Sequence, residues 1–505
     1  MPGAYWKHFK SGTDIRGVAL EGVEGQHVDL TNEVVKQIGG AFVLWLEKKV
    51  SKPAKELVIS IGRDSRLSGE RIMAALEETF VSAGVRVKNV GMASTPAMFM
   101  TTVDINCDGA VQITASHHPF NRNGLKFFVR SGGLESSDIT AILDLCEEKA
   151  MPEKAEGSTE KCDYMKAYAA RLRKLITDGV NSGDKPLEGF HIVVDAGNGA
   201  GGFYATEVLE PLGCDVSGSQ FLDPDGRFPN HVPNPEDKKA MESACKAVVD
   251  AKADMGVIFD TDVDRAGCVD SSGKEINRNR LIALASVIAL ENNPGGTIVT
   301  DSITSSGLKT FIEKDLNAVH LRFKRGYKNV INEAIRLNNE GINAPLAIET
   351  SGHAALRDNF FLDDGAYLAT MIIIRAARLA KEGKKLEDLI KNLAEPMQSV
   401  ELRFNITEPD FAAAGNKILS DLEAYAVKMG WKLADDSREG VRVSFERGSG
   451  DGWFLLRLSV HDPVMPLNIE SDVKEGCKVI AVQLLDFIKT CKGLDISALE
   501  AYLGL

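Results

Sequence analysis

The sequence predicts three related α/β domains followed by a smaller C-terminal α+β domain, and three observations carry that prediction. A chain of 505 residues has room for about three or four domains of ordinary size. Short β-branched runs at residues 57–64, 191–198 and 297–302 each end in a polar or glycine-containing turn and lead into a helical pattern. From about residues 392–399 that alternation gives way to a helix, two strands and a further helix.

Each apolar run reads as a buried strand with a loop at its carboxyl end, the usual ligand edge of an α/β sheet. Between the runs, spacings such as Val34, Val35, Ile38, Phe42, Trp45 and Leu46 give one apolar helical face. The polar stretch at 151–160 is read as the joint between the first and second units. Residues 270–274, Asp-Ser-Ser-Gly-Lys, are either a hairpin turn or a joint near the third. In the last unit we expect a helix over 410–429, strands over 441–445 and 453–458, and a helix after Ser471. The domains expected are therefore 1–155, 156–272, 273–395 and 396–505.

Hydrophobic residues make up 44% and charged residues 26%, the balance of an ordinary globular protein and not of a disordered one. With 59 Lys plus Arg against 72 Asp plus Glu, the formal charge is −13. That balance argues against broad nucleic-acid binding, which needs a basic stripe. The apolar stretch 281–290 is interrupted by Ser286 and ends at Glu291, short of the roughly 20 residues of a membrane span. The N-terminal residues lack the apolar core of a signal peptide. The eight cysteines are scattered without a Cys-x-x-Cys pair, as in a reducing compartment. A cytoplasmic location is expected, or an organelle lumen if a transit peptide was removed.

Four loops carry chemistry. In the first, Thr-Ala-Ser116-His-His-Pro runs on to Lys126; it has no Gly-x-Ser-x-Gly elbow, and by itself it also reads as a surface turn. In the second, Asp260, Asp262 and Asp264 alternate after an apolar run and precede Arg265. Carboxylates so placed raise one another's pKa unless a hard cation neutralises them. An EF-hand is excluded because its sixth position is Arg265 and its twelfth Ser271. The third, Glu349-Thr-Ser351-Gly-His353, reads equally as a set of sugar-hydroxyl partners or as a helix start capped by Ser351. The fourth, Arg457-Leu-Ser459-Val-His461-Asp-Pro, has the donors of a phosphate cradle.

In this order the loops resemble those of the α-D-phosphohexomutases, the phosphoglucomutase/phosphomannomutase family. Ser11-Gly-Thr-Asp-Ile-Arg16-Gly, Gly62-Arg-Asp-Ser-Arg-Leu-Ser-Gly69 and Thr95-Pro96 add to the likeness, which covers nearly the whole chain. The resemblance implies four domains around a central cleft. It also implies an isomerase that interconverts hexose 1-phosphate and hexose 6-phosphate, glucose and/or mannose, through a phosphoserine and a 1,6-bisphosphate. One Mg²⁺ per chain is implied, held by Ser116, Asp260, Asp262 and Asp264, with hexose 1,6-bisphosphate as activator and intermediate.

The same resemblance gives Lys126 as general base, its pKa lowered by cations such as Arg16 and Arg265, and His353 as the second acid–base candidate. His117 and Arg16 join the catalytic group. Lys324, Glu349, Ser351, Arg265, Arg457, Ser459 and His461 become substrate contacts. The expected partners are small sugar phosphates, without nucleic acid or membrane, in a monomer or homodimer.

Several positions depart from the family pattern. Val460 and His461 stand where the phosphate loop usually has Gly and Thr, Thr261 and Val263 where the metal loop often has Gly, and His118 where Asn is usual. Arg325 occupies a place typically held by a small or β-branched residue. These departures leave the hexose open, glucosamine phosphate included. They also leave open a non-catalytic sugar-phosphate-binding protein, or a phosphatase that releases free phosphate.

Overall fold

The apolar runs at 57–64, 191–198 and 297–302 each form a strand, in three different sheets, and the computed structural model describes the chain over residues 3–459 and 462–505. The first sheet holds β1 (Lys10–Ser11), β2 (Asp14–Val18), β3 (Val58–Arg63), β4 (Arg86–Met92), β5 (Gly109–Ile113), β6 (Arg122–Val129), β7 (Gly132–Gly133) and β8 (Ser158–Lys161). Its order is β1-β2-β6-β5-β3-β4-β8, with β7 paired to β6. The inner strands β5, β3 and β4 are parallel, and β6 runs antiparallel to both β5 and β2. Phe42, Leu46, Ile59, Ile61, Phe80 and Phe127 fill its core.

The second sheet is β9 (Ile192–Asp195), β10 (Met255–Phe259), β11 (Ala266–Asp270) and β12 (Glu275–Ile276). Strands β9 and β10 are parallel, and β11 folds back antiparallel on β10. Three parallel strands follow, β13 (Thr297–Thr300), β14 (Val319–Arg322) and β15 (Leu346–Ile348). An antiparallel pair comes next, β16 (Ala354–Leu356) and β17 (Leu362–Asp363). The last sheet is wholly antiparallel: β18 (Gln398–Asn405), β22 (Val464–Ser471), β21 (Gly452–Leu456), β20 (Val441–Phe445) and β19 (Lys432–Leu433). Helices Phe411–Lys428 and Gly476–Ile488 cover its core of Phe404, Leu422, Phe454, Leu467 and Leu484.

The chain forms two compact units, Met1–Leu281 with Ser351–Asp388, and Ile282–Thr350 with Leu389–Leu505. The segment expected as one domain over 273–395 contributes residues 282–350 to the second unit and 351–388 to the first. Its helix Gly365–Lys381 belongs with the first unit, where the Tyr168 hydroxyl donates to Asp364 at 2.7 Å and Tyr204 meets Thr370 at 2.9 Å.

Two readings are corrected, at 151–160 and at Ser351, and of the two offered for 270–274 the hairpin turn is the one found. The polar stretch at 151–160 is not only a joint, because Ser158–Lys161 is the edge strand paired with β4, so the first sheet runs past residue 155. Residues 270–274 are the turn of the β11–β12 hairpin, which carries the second sheet past 272. Ser351 caps no helix; β16 follows it.

Candidate active site

Ser116 lies just beyond β5 and is 4% exposed, with its backbone at φ +50°. This left-handed conformation costs an L-residue about 1–2 kcal/mol, and it marks a residue held for a purpose outside local folding. Its hydroxyl donates to Asp260 Oδ2 at 3.2 Å. The Arg265 guanidinium donates to the same hydroxyl at 3.0 Å and to His117 Nδ1 at 2.8 Å. Because Nδ1 of His117 accepts that bond, its ring is neutral. Burial and the Arg265 charge push its pKa down to about 2, and burial with Arg16 pushes His118 down to about 3.

The three aspartates follow β10, and one oxygen from each lies within 4.8 Å of the others. All three are buried, at 0%, 0% and 2% exposure. Asp260 is bound by Arg265 through Nε at 3.1 Å and through its backbone N–H at 3.2 Å. Asp262 accepts from the Thr95 hydroxyl at 2.5 Å, and its carbonyl accepts the Thr95 N–H at 2.8 Å. Oδ1 of Asp262 and Oδ1 of Asp264 are buried with no hydrogen-bond partner. Burial and the two neighbouring carboxylates drive Asp260 well above the usual carboxylate range. Orphaned anionic oxygens with no soft ligand among them suit a hard divalent cation such as Mg²⁺.

Val263, inside this loop, is fully buried at φ +67°, a conformation that is rare for a β-branched residue. Sequence inspection placed Val263 where glycine is common, and the backbone here keeps the glycine conformation. Asp264, His353 and Asp363 form a second group of similar spacing. There His353 Nδ1 is hydrogen-bonded to Asp363 Oδ2, which ties the protonation of the ring to that carboxylate.

Lys126, on β6, ion-pairs with Asp264 and reaches Asp262 at 3.4 Å. Both of these ion pairs are to carboxylates of the metal loop. Arg16, on β2, donates to Asp14 at 2.9 Å. An isolated antiparallel bridge joins Arg265 to His353 and brings the histidine to the metal loop. The preceding Gly352 sits at φ +93°, where a Cβ would meet the Ala266 carbonyl at 2.8 Å, so glycine is needed for this approach. Burial disfavours the His353 imidazolium, but the charges of Asp363 and Asp264 outweigh it and raise the pKa to about 9.

In the second unit Lys324 is exposed on the loop after β14. Glu349 is 4% exposed and accepts the Gly326 N–H at 2.6 Å. Arg457 lies one residue past β21, 8% exposed, with Nε lacking a partner. Burial, then the charge of Arg325, lowers its pKa. The Ser459 hydroxyl accepts the Asp462 N–H at 3.3 Å. His461, expected at the phosphate, lies outside the described residues, as does Val460.

The structure therefore gathers Ser116, His117, Lys126, Asp260, Asp262, Asp264, Arg265 and His353 in the first unit, where Arg16 and the 7%-exposed Ser351 also lie. Lys324, Glu349, Arg457 and Ser459 belong to the second. Sequence reading missed two supporting residues. Thr95 was noticed only as part of a dipeptide, and its hydroxyl holds Asp262. Asp363 carried no signal, since the β16–β17 hairpin alone sets it against His353.

Comparison with known proteins gives a consistent picture. The chain matches the family descriptions "Phosphoglucomutase/phosphomannomutase, alpha/beta/alpha domain I" over residues 9–152, domain II over 166–273 and domain III over 277–397. A phosphoglucomutase/phosphomannomutase of Thermococcus kodakarensis is 33% identical over 470 residues, covering 92% of this chain and 94% of the relative. A phosphomannomutase/phosphoglucomutase of Pseudomonas putida is 29% identical over 449 residues, 88% of this chain and 90% of the relative. The crystal structure of a phosphoglucomutase/phosphomannomutase family protein from Burkholderia thailandensis superposes with a TM-score of 0.79 at 28% identity. It covers 97% of this chain and 98% of that one.

Proposed function

The chain belongs to the phosphoglucomutase/phosphomannomutase family, and from that premise we propose that it interconverts hexose 1-phosphate and hexose 6-phosphate through a phosphoserine at Ser116. The observation that carries the reading is the buried Ser116 hydroxyl, held between Asp260 and Arg265 and beside three clustered carboxylates. A hydroxyl so placed is presented for phosphoryl transfer and not for hydrogen bonding alone.

In the proposed cycle a sugar hydroxyl attacks the phosphorus on Ser116, the P–Oγ bond breaks, and a 1,6-bisphosphate forms. After reorientation, Ser116 Oγ attacks the other phosphate, and the bond to the sugar oxygen breaks. Asp260, Asp262 and Asp264, with an oxygen on Ser116, would hold Mg²⁺, which when bound withdraws charge from the phosphoryl group. Arg265 donates to the serine oxygen and supports negative charge there. Lys126 takes the proton of the attacking hydroxyl, and the Asp363-held His353 returns one to the departing oxygen. His117, neutral and bonded to Arg265, keeps that guanidinium aimed at Oγ, and Arg16 adds positive potential over the serine loop.

Glu349 and Ser351 read the sugar hydroxyls, Lys324 faces the sugar, and Arg457, Ser459 and His461 take the distal phosphate. Glucose and mannose phosphates are the proposed substrates, with hexose 1,6-bisphosphate as activator. The decisive experiment supplies glucose, mannose or glucosamine 1-phosphate with Mg²⁺ and a trace of the matching bisphosphate. Formation of a 6-phosphate by the wild type and none by Ser116→Ala supports the reading; identical behaviour of the two proteins defeats it. Release of free phosphate would show a phosphatase.

A further inference from the structure

One guanidinium braces the entire serine loop. Arg66 lies in the turn between β3 and the helix Gly69–Ser82, is 1% exposed, and is absent from the reacting group described above. Its Nη1 donates to the carbonyls of Pro119 at 2.8 Å and Arg122 at 2.9 Å. Its Nη2 donates to the carbonyls of Ser116 and, at 2.6 Å, His118. Four carbonyls of one seven-residue loop therefore converge on a single planar cation.

The seat of Arg66 is built on every side. Asp64 Oδ1 accepts the Arg66 backbone N–H at 2.8 Å, and Asp64 Oδ2 faces Nε at 3.4 Å. The Phe228 ring covers the guanidinium at 5.3 Å. Gly226 closes over the turn, where a Cβ would meet the Ser65 carbonyl at 2.5 Å and the Leu67 nitrogen at 2.6 Å. The loop is also tied to the β3 end from its other side, because the Asp64 N–H donates to the Ile113 carbonyl at 3.1 Å.

We propose that Arg66 is the positioning residue that holds Ser116 in its left-handed conformation, with its hydroxyl aimed at the metal loop. This role rests on the mutase reading. Convergent carbonyl dipoles repel one another, and buried acceptors left without donors are costly. Only a fork of donors fixed in one plane satisfies them together. A lysine keeps the charge but concentrates its donors at one point, so it cannot span four carbonyls. The sequence of events is then local: Arg66 gathers the loop, the loop turns Ser116 to positive φ, and Oγ meets Asp260 and Arg265. The four hydrogen bonds of this guanidinium all go to loop carbonyls, so the proposed role leaves substrate affinity alone.

The test compares full-length wild type, Arg66→Lys and Asp64→Asn, using glucose 1-phosphate with Mg²⁺ and a trace of glucose 1,6-bisphosphate. For Arg66→Lys we expect kcat at least ten-fold lower with KM within two-fold. The fraction of Ser116 phosphorylated at completion, read by intact mass, should be unchanged while the single-turnover rate falls. That separates misaimed protein from a smaller active fraction. Amide exchange over residues 116–122 should be at least ten-fold faster, with β13 unchanged. Asp64→Asn, which keeps the guanidinium but loosens its seat, should move the same way by about three-fold. It decides the matter if Arg66→Lys does not fold. A kcat within two-fold of wild type in the folded variants, or a rise in KM matching the fall in kcat, overturns the proposal. If wild type turns over no hexose phosphate, the mutase reading fails. Unchanged exchange over residues 116–122 in the variants would separately overturn the brace.

Discussion

The ammonium group of Lys126 is ion-paired with Asp264 and lies 3.4 Å from Asp262, so the expected base is tied to the carboxylates expected to hold the metal. A monovalent side-chain cation and a divalent ion therefore draw on the same buried charge. Without its lysine, the apo protein would keep Asp264 with an orphaned oxygen, compensated by the charge of His353 and the 3.9 Å approach of Arg265.

Replacing Lys126 by methionine should thus separate two effects. Turnover should fall by about 10²–10⁴-fold, the range of a lost acid–base group. Removing one partner of a buried ion pair should also destabilise the metal-free protein by about 3–5 kcal/mol. Most of that loss should return on adding Mg²⁺, whereas turnover should not. Denaturant unfolding with and without Mg²⁺ or EDTA, beside an activity assay, reads both; equal stability of variant and wild type without metal would refute the pairing argument.

The Thr95 hydroxyl orients Asp262 from outside the ligand set. Such supporting hydrogen bonds are worth about 10–100-fold in metal affinity. Thr95→Val should weaken Mg²⁺ binding by that factor, and Thr95→Ser should keep it near wild type. Calorimetric titration of the three proteins decides, and a Thr95→Val affinity equal to wild type would show that the bond only packs the helix end.

How much of this was legible follows from which residues carry their own signal. The metal loop announced itself because β10 is an unbroken apolar run ended by alternating acids, and no ordinary turn needs three of them. Strand β8 was read as linker because all four of its residues are exposed and polar, leaving no alternation to detect. Asp363 carried no signal, and Arg66 was seen only as one letter of the Gly62–Gly69 motif, its role unread, for a different reason. Their partners lie 10 to 56 positions away, and only the fold brings them together. Val263 was misleading locally, since a β-branched side chain argues against the positive φ that it adopts.

Glu470 gives the second unit a pH-dependent stability. Burial raises its pKa from 4.5 to about 7, against the opposing pull of Arg442 and of the Trp453 indole N–H at 3.0 Å. The folded state therefore holds a proton that the unfolded chain releases near 4.5. This contribution to stability is complete below pH 4.5 and is lost as pH rises through about 7. Glu470→Gln removes the titration and keeps an acceptor for Trp453. Between pH 4.5 and 8 the unfolding free energy of wild type should fall relative to the variant by about 3 kcal/mol, at about 1.4 kcal/mol per pKa unit. Parallel stability curves across that range would show that Arg442, stacked on Trp453 at 3.6 Å, keeps Glu470 ionised throughout.

Val263 and Val257 allow the strain in the metal loop to be measured directly. Both are buried, at 0% and 1% exposure, but Val257 lies within the regular strand β10 whereas Val263 has φ +67°. Changing either to glycine removes the same side chain and adds the same unfolded-state freedom. Only at 263 does it also release a left-handed conformation that costs about 1–2 kcal/mol. Val263→Gly should therefore destabilise the protein by about 1–2 kcal/mol less than Val257→Gly in denaturant unfolding. Its loop should also relax more freely, so Mg²⁺ affinity should drop even as the strain is relieved. Equal losses at the two sites would mean that the valine at 263 is held by packing worth as much as its strain, and that the metal loop stores none.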